Sequence, residues 1–134
     1  MLLHERFEEI CKFRVLKPAE VARRAGLHQS ILTRLKGLSK PESNTLDKLA
    51  STLEVSLDYL CGKEDSDESI RDAIAAQTLR LFSRNQKLAR NERSELESLI
   101  GLPFAPVTIK GWSDLVQTLH YLRGRVGGRI EHDR

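Results

Sequence analysis

The stretch RAGLHQSILTRLKG, residues 24–37, carries a glycine near each end and encloses a segment that fits one short helix. Leu27, Leu32 and Leu35 fall on one side of this segment at helical spacing. The other side carries four polar residues, which are Gln29, Ser30, Thr33 and Arg34. This row is either an ordinary solvated face or a set of hydrogen-bond donors and acceptors for a partner.

A second short helix is predicted immediately before this stretch. Pro18 fits its first position, where the missing N–H has no partner to lose. Val21 and Ala22 are its inward residues, and Gly26 ends it because glycine accepts a positive φ. Two helices joined by a glycine turn, with the small Ala22 where they cross, are typical of helix-turn-helix geometry.

The same kind of reading predicts helices on both sides of this pair. An apolar stripe with helical spacing runs through residues 3–13, and another through residues 45–53. A short helix is predicted at 57–60, with Ser56 as its N-cap and Gly62 as its stop. The polar, acidic stretch KEDSDES at 63–69 is the best linker candidate.

The second half of the chain also reads as helices. We predict them at 70–85, 91–100 and 112–126, with Ser113 capping the last one. No alternating strand pattern appears anywhere. The sequence therefore predicts an all-α protein with a domain at 1–62, a linker at 63–69 and a small helical C-terminal segment at 70–134.

The first half resembles a known family. EVARRAGLHQSILTRLKG (20–37), then Pro41, then TLDKLASTLEVSLDYLCG (45–62) is similar to the lambda-repressor/Cro type of helix-turn-helix domain, also called XRE-type. The resemblance implies a five-helix DNA-binding domain over residues 1–62. It also implies that the second helix of the motif enters the major groove.

The resemblance further implies roles for individual residues. The residues that match base-reading positions are Gln29, Ser30, Thr33 and Arg34. The candidates for phosphate contacts are Arg14, Lys17, Arg23, His28, Lys36 and Lys40. His28 could instead cap the start of the helix. Ile31 either contacts a thymine methyl or belongs to the core, and the core is favoured. Gln, Arg and Ser side chains suit the donors and acceptors of base edges.

The charge distribution agrees with a polyanionic partner. Residues 14–40 hold seven basic side chains and one acidic one, a net charge of +6. Residues 41–72 hold three basic and nine acidic side chains, a net charge of −6. Such segregation favours a basic pole that attracts and orients a polyanion, although chance clustering on a solvated surface would look the same.

The second half is the expected source of a dimer interface, because one recognition helix reads few base pairs. The apolar residues assigned to that interface are Leu79, Phe82, Trp112, Leu115, Leu119 and Leu122. Part of this set must form the small core of the second half, so we expect a core together with an interface, the alternative being an ordinary small core alone. The function expected is a homodimeric transcriptional repressor that reads a palindromic double-stranded DNA operator. The alternative is an antitoxin or protein-interaction module whose C-terminal half binds a partner protein.

Other functions find little support in the residues. No catalytic motif appears, so we expect no enzyme activity and no cofactor. The four histidines are scattered, which argues against a metal site. Cys11 and Cys61 form no disulfide framework, and no segment looks like a secretion signal or a membrane span, so we expect a cytoplasmic protein without membrane association.

Overall fold

A computed structural model describes residues 2–37, 41–62 and 69–132, and every regular element in these ranges is an α-helix. The predicted all-α class is therefore confirmed. The helices are α1 (Leu3–Arg14), α2 (Pro18–Arg24), α3 (Ser30–Lys36), α4 (Ser43–Leu53), α5 (Leu57–Leu60), α6 (Ile70–Arg84), α7 (Arg90–Glu97) and α8 (Ile109–His132).

The first of two apolar cores lies among α1 to α5 and the beginning of α6. Its most completely enclosed side chains come from five different helices, and they are Ile10, Val21, Leu49, Leu53, Leu60 and Ile74. The apolar stripes predicted for residues 3–13 and 45–53 supply half of the buried residues of this core. Because each stripe follows the helical period, one face of each helix can enter the core while the other stays in water.

Local signals set where these helices begin and end. Pro18 occupies the start of α2, as predicted. Gly26 after α2 and Gly62 after α5 have φ values of +76° and +77°, a region that glycine enters without steric cost. The Ser56 hydroxyl accepts a hydrogen bond from the Tyr59 N–H at 3.1 Å and so caps α5.

The second core lies among α6, α7, α8 and the loop before α8. Trp112 is fully buried at its centre, and its indole N–H donates to the Thr78 hydroxyl at 2.9 Å. Thr78 in turn donates to the backbone of its own helix. The one polar atom of the Trp112 ring is thereby satisfied, as a buried indole requires.

Helix α6 belongs to both cores. Ala73 and Ile74, near its start, pack in the first core, whereas Ala75 and Leu79 pack in the second. Of the predicted linker, residues 63–68 lie outside the described residues, and Ser69 accepts a hydrogen bond from the Asp72 N–H that caps α6. The domain boundaries stay a prediction, but the two halves share a helix and packed side chains.

Helix α8 begins earlier than predicted. Its first residue is Ile109 rather than Trp112, and the Thr108 hydroxyl accepts a hydrogen bond from the Gly111 N–H at 2.9 Å. Ser113, the predicted cap, therefore lies inside the helix. The Thr108 side chain supplies the capping acceptor that the sequence analysis had assigned to Ser113.

No helix in the described ranges combines the length and the apolar character needed to cross a membrane.

Candidate nucleic-acid interface

Helix α3 packs with one face inward and leaves its polar row exposed. Ile31 and Leu35 are 6% and 5% exposed, and Leu32 is half-buried. The four predicted base-reading residues are all exposed, and they are Gln29, Ser30, Thr33 and Arg34. Ile31 thus belongs to the core, which settles the alternative that the sequence left open.

The turn between α2 and α3 fixes the direction in which α3 leaves. The Leu27 N–H donates to the Ala22 carbonyl at 2.8 Å, and the Gly26 N–H donates to the Arg23 carbonyl at 3.0 Å. This pattern closes the C-terminal end of α2 around a residue in the left-handed region. Ala22 has no exposed surface, so a larger side chain there would push neighbouring helices apart.

His28 caps the beginning of α3. Its Nδ1 accepts a hydrogen bond from the Ser30 N–H at 3.1 Å, while the ring stays exposed. The capping role proposed for His28 is the one that this geometry supports. Because Nδ1 accepts, the proton of the neutral ring is on Nε2, which is a donor that points away from this bond.

Three predicted phosphate contacts lie together around α2 and the turn before α3. Lys17, Arg23 and His28 line one open groove, and Gln29 and Glu20 line it as well. The three predicted phosphate contacts and Gln29 are exposed. The structure therefore brings a predicted base-reading residue into the same groove as three predicted phosphate ligands.

One acidic residue orients the cations of this groove. Glu20 accepts from Arg23 Nε at 3.0 Å and from Arg24 Nε at 2.9 Å. These hydrogen bonds lower the pKa of the exposed Glu20 carboxyl below its ordinary value and raise the pKa of Arg23. Arg23 still has 71% of its side chain exposed, so its charge remains available to solvent and to a ligand.

Arg14 does not belong with these cations. Its Nε donates to the Leu53 carbonyl at 3.1 Å, and its Nη1 donates to the Val107 carbonyl. Its Nη2 is buried, and burial lowers the pKa of the guanidinium while the Glu54 carboxylate opposes that shift. A guanidinium used in this way inside the chain cannot reach a phosphate, and we remove Arg14 from that set.

The two remaining phosphate candidates lie at or beyond the other end of α3. Lys36 is exposed, and its Nζ is 3.8 Å from a carboxylate oxygen of Glu8 on α1. A pair of that length between exposed groups stabilises the fold little and breaks easily. The position of Lys40 lies outside the described residues.

Most residues assigned to the dimer interface are in the second core instead. Leu79, Phe82 and Trp112 are 3%, 4% and 0% exposed. Leu115 and Leu119 are half-buried against the same core, and Leu122 is 50% exposed. Three of the six assignments are therefore corrected, because α6 and α8 cover these side chains within one chain.

Two exposed aromatic residues were missed by the sequence analysis. Tyr121 on α8 is 63% exposed, next to Leu122, and Phe104 in the loop before α8 is 69% exposed. Arg71 donates to the carbonyls of Pro103 at 2.8 Å and Ala105 at 3.4 Å, on either side of Phe104. The segment LPFAPV, residues 102–107, contains two prolines, which indicate an irregular loop. Only the packing shows which of its side chains is exposed.

Titratable side chains in the described ranges form no metal site. No group of three or more His, Cys, Asp or Glu residues there lies close enough to hold an ion. Cys11 is buried, and burial followed by the charge of Glu8 raises the pKa of its thiol to about 12. Such a thiol stays protonated and unreactive at neutral pH.

Comparisons with other proteins add no family. No protein-family model matches this chain, and searches of curated proteins and of solved structures return no match. The resemblance to the lambda-repressor/Cro type accordingly stays a prediction that rests on the motif residues themselves.

Proposed function

We propose that this chain is a sequence-specific regulator of transcription, a dimeric repressor of the XRE type that reads a palindromic DNA operator. In this proposal α1 to α5 are the DNA-binding domain, and α3 is the recognition helix. The observation that carries it is the geometry of α3. Its buried face is held by Ile31 and Leu35, and its exposed polar row adjoins a groove whose lining includes two cations, a histidine and one carboxylate.

The exposed row of α3 has the chemistry that base edges require. Gln29 can form two hydrogen bonds to adenine, and Arg34 can do so to guanine, while Ser30 suits several acceptors. No described residue pairs with the Arg34 guanidinium. A helix of this diameter fits the major groove, where each base pair presents a distinct pattern.

Phosphate contacts would hold α3 in register on the duplex. Lys17 and Arg23 supply positive charge at one end of the groove, and His28 Nε2 supplies a donor beside them. Glu20 keeps Arg23 extended along α2 through its carboxylate. Because these contacts replace condensed counterions on DNA, binding should weaken steeply as salt is raised.

Selection of the full chain on random duplex DNA tests this function. We expect a palindromic site, and Arg34→Ala should then cost about 1–3 kcal/mol and relax the preference at one base pair. Arg84→Ala, which removes the same charge from the far end of α6, is the matched control and should change the affinity little. An equal loss on all sequences would make Arg34 a phosphate contact, and salt-sensitive binding without preference would contradict the proposal.

The dimer would use the exposed part of α8. Tyr121 and Leu122 are exposed and follow the half-buried Leu115 and Leu119 along the same helix. We expect Leu122→Asp to shift the chain from dimer to monomer in sedimentation, because a charge there would be buried against the partner copy. Gln117→Asp is the control, since Gln117 is exposed on the same helix. An unchanged dimer in Leu122→Asp would exclude this surface.

A second candidate is a protein-interaction module such as an antitoxin, favoured by the outward Phe104. A rigidly held aromatic side chain is a frequent anchor at protein interfaces. The protein to test is a toxin, protease or antirepressor encoded beside this chain. Loss of its binding in Phe104→Ala, at unchanged DNA affinity, would support this candidate, whereas unchanged binding of that protein would count against it.

A further inference from the structure

Polar contacts join the first five helices to the beginning of α8. Arg14, at the end of α1, donates to the carbonyls of Leu53 and Val107. Glu54, which follows α4, accepts a hydrogen bond from the Ile109 N–H at 2.9 Å through its Oε1. We call these five residues the Arg14–Glu54 clamp. Each of its contacts spans at least 39 positions of the chain.

Glu54 is placed to act on α8 as a cap from another part of the molecule. Ile109 is the first residue of α8, so its N–H has no acceptor within that helix. A carboxylate is also favoured at this end by the helix dipole. Glu54 has a φ of +56°, in the left-handed region of the backbone, which costs energy for residues other than glycine. Glu54 thus ends α4 through its backbone and supplies an acceptor to the first turn of α8 through its side chain.

Arg14 completes the same junction from the other side. The Leu53 carbonyl lies at the end of α4 and the Val107 carbonyl lies two residues before α8. One guanidinium thus ties both segments to α1. The Nη2 atom of Arg14 is buried without a hydrogen-bond partner among the described residues, so separation of the two segments would leave Nε and Nη1 without their acceptors as well.

Apolar packing surrounds these polar contacts. The shared helix α6 places Ile74 in the first core and Leu79 in the second, and Val107 packs against both cores. The Ser56 N–H also donates to the side-chain amide oxygen (Oε1) of Gln77 at 3.3 Å. A junction with a shared helix and cross-linking hydrogen bonds resists bending far more than a polar linker of a few residues would.

We propose that Arg14 and Glu54 are positioning residues that hold α8 at one orientation relative to α3, so that the dimer reads half-sites at a single spacing. This inference rests on the proposed function. Each base pair added between half-sites turns the second one by roughly 34° and moves it about 3.4 Å. A rigid dimer cannot follow that change with both recognition helices, whereas halves joined only by a flexible linker can.

The test uses the full chain and the operator found by selection, with one or two base pairs inserted between its half-sites. We expect wild-type affinity to fall at least about tenfold with two added base pairs, because one recognition helix then loses its half-site. In Glu54→Gly the loss should be several-fold smaller. Glycine removes the acceptor for Ile109 but suits the positive φ, so this variant should fold.

Three further variants test whether the change in spacing preference is specific to the clamp. Glu54→Gln retains the acceptor and should keep the wild-type spacing preference, whereas Arg14→Met should relax it. Glu95→Gln removes the ion pair with Arg123 between α7 and α8, which lies outside the clamp, and should change nothing. If Arg14→Met does not fold, the difference in spacing preference between Glu54→Gly and Glu54→Gln still tests the clamp.

A measurement without DNA separates this inference from the proposed function. Residual dipolar couplings should fit one alignment tensor for α1–α5 and α7–α8 in the wild type, and two in Glu54→Gly. A single tensor and an unchanged spacing preference in Glu54→Gly would overturn the clamp while leaving the DNA-binding function intact. Absence of any preferred site in the wild type would overturn that function, and the tensors would still decide whether the clamp fixes α8.

Discussion

Helices α3 and α8 both bury one face, but they differ in what they leave outside. The seven-residue α3 exposes a wholly polar row, with Thr33 and Arg34 beside the buried Ile31 and Leu35. The 24-residue α8 buries Trp112 and leaves apolar side chains outside further along. A polar row suits a partner rich in donors and acceptors, whereas an exposed apolar pair suits another apolar surface.

This difference separates two kinds of residue that share one sequence pattern. On both helices apolar residues recur at helical spacing, and on both the buried subset holds the helix in place. The exposed subset is then free to meet a partner. Three substitutions, each with a matched control, test this division between residues that hold a helix in place and residues left exposed.

The largest loss of stability is expected at Trp112, which was predicted at the dimer interface but is buried in the second core. Trp112→Ala should lower the free energy of unfolding by about 3–5 kcal/mol, because it empties a fully buried site. Gln117→Ala, on the same helix but exposed, should lower it by about 0.5 kcal/mol or less. Urea unfolding measures both, and equal losses would contradict the assignment of Trp112 to the core.

A smaller loss is expected at Ile31, which holds α3. Ile31→Ala should lower the free energy of unfolding by about 2–4 kcal/mol, because the side chain is 6% exposed. Its exposed neighbour Thr33 is the control, and Thr33→Ala should change that free energy by about 0.5 kcal/mol at most. If Ile31→Ala instead left stability intact and weakened binding to DNA, Ile31 would have to be counted among the base-reading residues.

The smallest effect is expected at Gly26, which sets the turn into α3. Gly26→Ala should cost about 1–2 kcal/mol, because the residue has a φ of +76° although no atom lies within 4 Å of the added methyl. Gly101 has the same open surroundings without a positive φ, so Gly101→Ala should stay within about 0.5 kcal/mol of wild type. Thermal unfolding distinguishes them, and similar midpoints would remove the conformational argument for Gly26.

The sequence predicted the first five helices well because their limits depend on local chemistry. Pro18 begins α2, Gly26 ends it and Ser56 caps α5, each through the conformation or hydrogen bonds of a few neighbouring residues. The exposed row of α3 follows from the same local reasoning, since helical spacing assigns its face once Leu35 is inward. These features need no knowledge of distant parts of the chain.

The second half was harder because an apolar stripe is the same signal for a core and for an interface. Leu79, Phe82 and Trp112 could have faced another copy of the chain, and only the packing of α6 on α8 shows that they face one another. The prediction of Arg14 as a phosphate contact was wrong for a related reason. Nothing near it in sequence indicates that carbonyls 39 and 93 positions away take up its donors.

By itself, then, the sequence determined the helical class, the turn at Gly26 and the polar row on α3, because each depends on the helical period and on local backbone preferences. Tertiary structure alone decided that Arg14 and Glu54 join the two halves and that Leu122 rather than Trp112 is left outside. These outcomes depend on which surfaces meet at long sequence separation, and that choice is made by the packing of the whole chain.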